Sequence, residues 1–123
     1  MFAVNERVDS SGRALVRIIV KSLGPSSPIE LEAWVDTGFT GELVLPQERI
    51  SALGLPQSAT VRAELGDGSE VVLDICSCWI EWFGQQKQIE VIASTAQWPL
   101  LGVGLLQDHR LTVDYRSRTL ALE

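Results

Sequence analysis

Apolar, β-branched residues fall in short runs along the chain, and most of the runs close on glycine, proline or serine. Ala14 to Val20 (Ala-Leu-Val-Arg-Ile-Ile-Val) ends at the breaker cluster Gly24-Pro25-Ser26-Ser27-Pro28, which predicts a strand and a loop. Ile29 to Val35 sets Ile, Leu, Ala and Val against Glu30, Glu32 and Trp34, the period of a strand with one buried face. Glu42 to Leu45 reads as another short strand. Pro46 then opens a helix over Gln47 to Leu53, with Ile50 and Leu53 three apart and Gly54 as its stop. Thr60 to Leu65 and Glu70 to Ile75 flank Gly66-Asp67-Gly68-Ser69, which predicts a hairpin because Asp-Gly accepts the backbone angles of a tight turn. The second arm runs on through Cys78, Trp79, Ile80 and Trp82 to a turn at Phe83-Gly84-Gln85, and Lys87 to Ala93 returns. Gly104 to Gln107 reads as a short helix, and Leu111 to Tyr115 and Thr119 to Leu122 as strands around a turn at Arg116-Ser117. Many short strands at close intervals predict an all-β sandwich or small barrel with one or two short helices.

With 123 residues, residues 1–123 are expected to form a single domain, long enough for one core. The 46% hydrophobic and 21% charged composition places it among globular chains. A net charge of −6 without any Lys/Arg run argues against nucleic acid or an anionic membrane as a partner. No basic region leads into an apolar signal core at the N-terminus, and no apolar run reaches membrane-spanning length, so a cytoplasmic protein is expected. Cys76 and Cys78 stand two apart in an apparent strand, on one face, a spacing poorly suited to a disulfide. They read as reduced, partly buried thiols. With His109 the sole histidine, neither a metal site nor a cofactor is expected.

The sharpest chemical feature is Asp36-Thr37-Gly38, entered from Ala33-Trp34-Val35 and followed by Phe39-Thr40-Gly41-Glu42-Leu43-Val44-Leu45. A carboxylate at the end of a hydrophobic strand must sit in a hydrogen-bonded turn or suffer a desolvation penalty. Gly38 lets the backbone turn, and Thr37 supplies a hydroxyl for local bonding. Asp9, Asp67, Asp74, Asp108 and Asp114 all lack a following Thr/Ser-Gly, so the motif occurs once.

Val35-Asp36-Thr37-Gly38, a short strand, a glycine-tipped hairpin and then Leu100-Leu101-Gly102 occur here in an order that resembles the retropepsin-like aspartic proteases. Asp36 to Pro46 looks particularly like the small prokaryotic single-domain members, and the resemblance spans about Ile29 to Tyr115, most of the chain. It implies a retropepsin-like acid-protease barrel that works as a homodimer, and an aspartic endopeptidase acting on protein or peptide substrates. Asp36 is then the catalytic carboxylate, and Asp36 of a second copy supplies the other half of the dyad. Thr37 and Gly38 support the active-site loop, Gly66, Asp67 and Gly68 form a flap over the substrate, and Leu100, Leu101 and Gly102 floor the loop. The residue after the motif, often Ala or Ser in retroviral members, is Phe39 here, where a bulky ring is expected either to narrow a subsite or to alter hydrogen bonding around Asp36. The alternative is a catalytically weak peptide-binding or dimerisation module on the same fold.

Other chemistry has less support. Asp108 and His109 are sequence neighbours and do not readily orient one another as a triad requires, and no serine stands in a Gly-x-Ser-x-Gly elbow. His109 reads as an exposed histidine after a helix. Gly102-Val103-Gly104 lacks the rest of a phosphate-binding pattern. Trp34, Trp79, Trp82 and Trp98 are expected in the core or at an interface rather than along a peptide groove.

Overall fold

The computed structural model describes residues 4–123. Its strands are β1 (Val4–Val8), β2 (Ala14–Lys21), β3 (Ile29–Val35), β4 (Leu43–Pro46), β5 (Gln57–Glu64), β6 (Glu70–Trp82), β7 (Gln85–Ser94), β8 (Leu100–Leu101), β9 (Leu111–Asp114) and β10 (Thr119–Leu122). Two short helices, α1 (Gln47–Leu53) and α2 (Val103–Leu106), complete the fold. The strands join in the order β5-β6-β7-β4-β8-β3-β2-β1-β10-β9, and a further pairing of β6 with β2 closes part of this sheet on itself. The closed circuit runs β2, β3, β8, β4, β7, β6 and back to β2, through Ile19↔Glu81, Val20↔Ile80 and Lys21↔Trp79. Closure removes the unpaired edges those strands would otherwise expose.

Strand periodicity decides what fills the barrel. Val16, Ile18 and Val20 of β2 and Leu31, Ala33 and Val35 of β3 turn inward and are buried. Leu43, Leu45, Ile80, Val91, Leu101 and Leu105 belong to the same core. On the outer face Glu30 meets Arg17 at 2.6 Å and Glu32 meets Arg7 at 3.0 Å. Such exposed pairs contribute at most about 1 kcal/mol each. Helix α1 begins directly after Pro46 and stops at Gly54, whose φ of +66° lets its N–H reach back to the Ser51 carbonyl at 3.1 Å. Ile50 and Leu53 face the core, as their spacing predicts.

The expectation of an all-β fold with one or two short helices holds, with two helices present among the described residues, and the differences are local. Nothing in the polar stretch around Glu6-Arg7 reads as a strand, yet β1 pairs with both β10 and β2. Strand β5 begins at Gln57 rather than Thr60, with a bulge between Gln57 and Ala59. Strand β4 and helix α2 are each displaced by a residue from the expected Glu42 to Leu45 and Gly104 to Gln107. The hairpin turn uses positive φ at Gly68 alone (+85°), with Leu65 N–H to Ser69 O at 2.8 Å. His109 is not the exposed residue expected: it is half-buried, stacked on Phe83 with ring centroids 4.1 Å apart. Phe83 itself sits at φ +51° in a two-residue turn with Gly84, a costly conformation for an aromatic residue. Its ring also meets Trp82 edge-on at 5.2 Å.

Cys76 and Cys78 are free and buried. Burial pushes the Cys78 thiol up to about 12, and burial together with the Asp74 charge raises Cys76. Trp82 is buried in the core, while Trp34 is exposed and Trp79 and Trp98 are half-buried. The Arg13 guanidinium lies 4.3 Å from the Trp98 ring centroid and 5.9 Å from that of Trp34. Among the described residues, no helix is long and apolar enough to cross a membrane.

Candidate active site

Strands β3 and β4 follow one another in sequence but are not neighbours in space, because β8 is inserted between them. Strand β3 runs parallel to β8 (Trp34↔Leu100, Val35↔Leu101), and β8 runs antiparallel to β4 (Leu43↔Leu101, Val44↔Leu100). The segment 36–42 must therefore arch across the end of β8 to connect them. This arch carries Asp36, Thr37 and Gly38. The Asp36 N–H donates to the Leu101 carbonyl at 2.8 Å, extending the β3–β8 ladder by one bond beyond Val35. The chain then turns: Phe39 N–H donates to the Asp36 carbonyl at 3.2 Å, and Gly38 N–H donates to Asp36 Oδ1 at 2.9 Å. That last bond is an Asx turn, the local hydrogen bonding that a strand-end carboxylate requires. Asp36 is half-buried, and Thr37 and Gly38 are exposed.

The far side of the arch is stitched to the segment after β8. Val103 N–H donates to Phe39 O at 2.7 Å, Gly104 N–H to Gly41 O at 2.9 Å and Gly102 N–H to Glu42 O at 3.0 Å. Glu42 also accepts the Glu90 N–H through Oε1 at 3.0 Å, which ties the arch to β7. Three glycines make this approach possible. A methyl group on Gly102 would strike the Gly41 carbonyl oxygen, the Phe39 ring and, at 2.7 Å, the Phe39 carbonyl oxygen. One on Gly104 would meet Glu42 Cγ and the Gly41 carbonyl oxygen, each at 2.9 Å, and one on Gly41 would run into the Phe39 ring. Leu100, Leu101 and Gly102 thus lie directly beneath the Asp36 arch. The contributions of Gly41, Glu42 and Gly104 are absent from the sequence reading, since nothing in their local pattern marks them.

The hairpin turn at Gly66, Asp67 and Gly68 stands apart from this cluster. Among the described residues strand β5 pairs with β6 alone, so the hairpin extends from the barrel. Burial along β6 falls off toward the tip: Cys76, Cys78, Ile80 and Trp82 are buried, while Glu70, Val72 and Asp74 are exposed. The tip is held internally, with Ser69 N–H and Oγ both on Asp67 Oδ1 at 2.9 and 2.6 Å. Those bonds hold the Asp67 carboxyl below its ordinary pKa. One face of the hairpin presents Val61, Ala63, Val71 and Leu73 half-exposed. A groove of about 510 Å³ runs between Leu65, Val71 and Leu73 of the hairpin, Gln47 of α1, and Ala93 and Thr95 at the end of β7. Asp36 and the tryptophans do not line it.

Among the described residues, no group of three or more His, Cys, Asp or Glu side chains is placed to hold a metal ion. The arch presents the half-buried Asp36 carboxylate at its turn, fastened by backbone hydrogen bonds to β8 and to the segment after it. A single carboxylate can accept a proton from water or donate one, but it cannot do both at once on opposite sides of a reacting carbonyl.

No protein-family model and no curated relative matches the sequence. Solved structures do match. A retropepsin-like aspartic protease from Rickettsia conorii superposes with a TM-score of 0.66 at 17% identity, over 98% of this chain and 90% of that one. EIAV protease in complex with the inhibitor HBY-793 gives a TM-score of 0.58 at 19% identity, over 81% of this chain and 90% of that one. By architecture, and by these likenesses, this chain has the retropepsin-like fold.

Proposed function

We propose that the chain, with residues 1–123 as one domain, is an aspartic endopeptidase whose active site forms across a homodimer, Asp36 coming from each subunit. The observation that carries this reading is the Asp36-Thr37-Gly38 arch, fastened over Leu100-Leu101-Gly102 in a retropepsin-like fold and present once per chain. A two-fold axis between two such arches makes one site from two copies. Two carboxylates a few ångströms apart cannot both ionise cheaply, so the pair holds one proton between them. The ionised Asp36 takes a proton from a water as its oxygen attacks the scissile carbonyl carbon, and the protonated Asp36 gives its proton to the carbonyl oxygen. The tetrahedral intermediate collapses with cleavage of the C–N bond, and the leaving nitrogen is protonated by the dyad. In this scheme Thr37 braces the partner's loop, and Gly38 allows backbone and substrate to approach. Leu100, Leu101 and Gly102 form the floor. The Gly66-Asp67-Gly68 hairpin closes over an extended peptide and excludes water.

The test compares wild type with Asp36→Asn on a diverse peptide library from acidic to neutral pH. Cleavage by wild type alone, with a bell-shaped pH profile from the coupled pair, is expected. Equal cleavage by both proteins refutes the assignment. Peptide binding without cleavage by either protein indicates a binding module.

A further inference from the structure

We propose that Phe39 is a positioning residue for Asp36, acting by locking the catalytic arch onto the segment beneath it and not by shaping a substrate subsite. This rests on the dyad reading above. A bulky residue directly after Asp-Thr-Gly has two places to put its ring: outward beside the carboxylate, or inward under the arch. The ring goes inward. Its atoms are the nearest neighbours of the position that a side chain on Gly41 would occupy, and at Gly102 the ring comes second only to the Gly41 carbonyl oxygen, so it fills the slot those two glycines leave open. The same residue is held by its backbone on both sides, its N–H on the Asp36 carbonyl at 3.2 Å and its carbonyl receiving Val103 N–H at 2.7 Å.

Asp36 is three residues away in the same turn, hydrogen-bonded to Leu101 on one side and to Gly38 on the other. Any shift of the Asp36-to-Phe39 turn therefore drags the ring out of its slot or breaks the Phe39–Val103 bond. The ring is half-buried in that slot, and a displaced ring loses the packing partners it has there, which makes the slot stiff. The dyad chemistry needs that stiffness. The pair shares one proton only while the two carboxylates stay close, and a displacement near 1 Å at a reacting group costs on the order of 100-fold in rate. Phe39 thus governs turnover and the proton sharing of the dyad, and leaves substrate choice to other residues.

The experiment uses the full-length chain as wild type, Phe39→Leu and Phe39→Ala, with two readouts. The first is peptide cleavage: kcat, KM, cleavage-site preference and pH profile. The second is amide hydrogen exchange at Asp36, Val103 and Gly104, compared with strand amides of β10. Phe39→Ala is expected to lower kcat on the order of 10- to 100-fold, with KM and site preference held, a pH profile in which the two limbs draw together, and faster exchange confined to the arch amides. Phe39→Leu, which refills part of the slot, is expected to recover part of kcat. A change in KM or site preference at constant kcat overturns the proposal in favour of a subsite role. Exchange that rises equally in β10, or does not rise at the arch, overturns it too. Should wild type cleave nothing, the dyad reading fails and the catalytic role of Phe39 fails with it, while the exchange pattern still decides separately whether the ring locks the arch. Should Phe39→Ala not fold, Phe39→Leu decides on the same readouts.

Discussion

Gly102→Ala is the most incisive single substitution for the architecture of the candidate site. Gly102 has φ −101° and ψ 178°, an extended backbone that alanine adopts freely. On backbone entropy alone the change should stabilise the protein by about 0.4–1 kcal/mol, because it restricts the unfolded chain. Sterics oppose this. The new methyl would strike the Gly41 carbonyl oxygen and the Phe39 ring, and it would stand 2.7 Å from the Phe39 carbonyl oxygen. Two of those atoms are backbone oxygens already accepting Gly104 N–H at 2.9 Å and Val103 N–H at 2.7 Å, so they cannot yield without breaking bonds. Overpacking against well-held neighbours costs about 1–3 kcal/mol, and each hydrogen bond lost adds about 1 kcal/mol. The expected net is a destabilisation of about 3 kcal/mol. In urea unfolding, with a slope near 1–3 kcal/mol per molar for a domain of this size, that lowers the midpoint by roughly 1–3 M. Gly24→Ala, where among the described residues no atom beyond its chain neighbours lies within 4 Å of the new methyl, is the matched control and should stay within about 0.5 kcal/mol of wild type. A neutral or stabilising Gly102→Ala would refute the tight seat of the arch.

Two further predictions concern titratable groups. Cys78, with its thiol pushed up to about 12 by burial, and Cys76, raised for the same reason, should resist thiol reagents in the native protein at neutral pH and react on denaturation. A folded pKa above the unfolded value of 9.0 favours the native state fully below pH 9, and that contribution is lost as pH rises toward 12, so unfolding stability should decline across that window and decline less in Cys78→Ala. Asp9 accepts the Ser11 and Arg13 N–H groups on Oδ1 and the Arg13 guanidinium on Oδ2 at 2.7 Å, and the Arg13 backbone bond heads the causes that hold its carboxyl below 3.8. Its depressed pKa stabilises the fold above about pH 4, so Asp9→Ala should melt earlier than wild type at pH 7, and the gap in Tm should close as pH falls through the native pKa of Asp9.

The parts of this fold that were legible in the sequence are those whose signals are local. Pro46 and Gly54 bracket α1, and alternation marks β3. The Asp67-Gly68 pair marks a hairpin, although only Gly68 needs the positive φ. What escaped depends on partners distant in sequence. Strand β1 has too polar a pattern to read alone, and it exists because β2 and β10 offer edges on both sides. Strand β8 is two residues long, and its place between β3 and β4 is set by the ladder that Trp34 and Leu43 complete, not by Leu100-Leu101 themselves. Within the site, Asp36 and Leu100-Leu101-Gly102 stood out as motifs, whereas Gly41, Glu42 and Gly104 acquire their roles only once the arch has crossed β8. The direction of the Phe39 ring belongs to the same class. It follows from the absence of two side chains, one of them more than sixty residues downstream.

The central claim, that two copies of Asp36 make one site, is tested most directly by mixing. Wild type is combined with an equal amount of Asp36→Asn, allowed to exchange subunits, and assayed on a peptide that wild type cleaves. If the site spans a homodimer, random pairing leaves about half of the wild-type chains beside an inactive partner, so activity per wild-type chain should fall to about half and fall further with excess variant. Activity per wild-type chain that stays constant at every ratio would contradict the shared dyad.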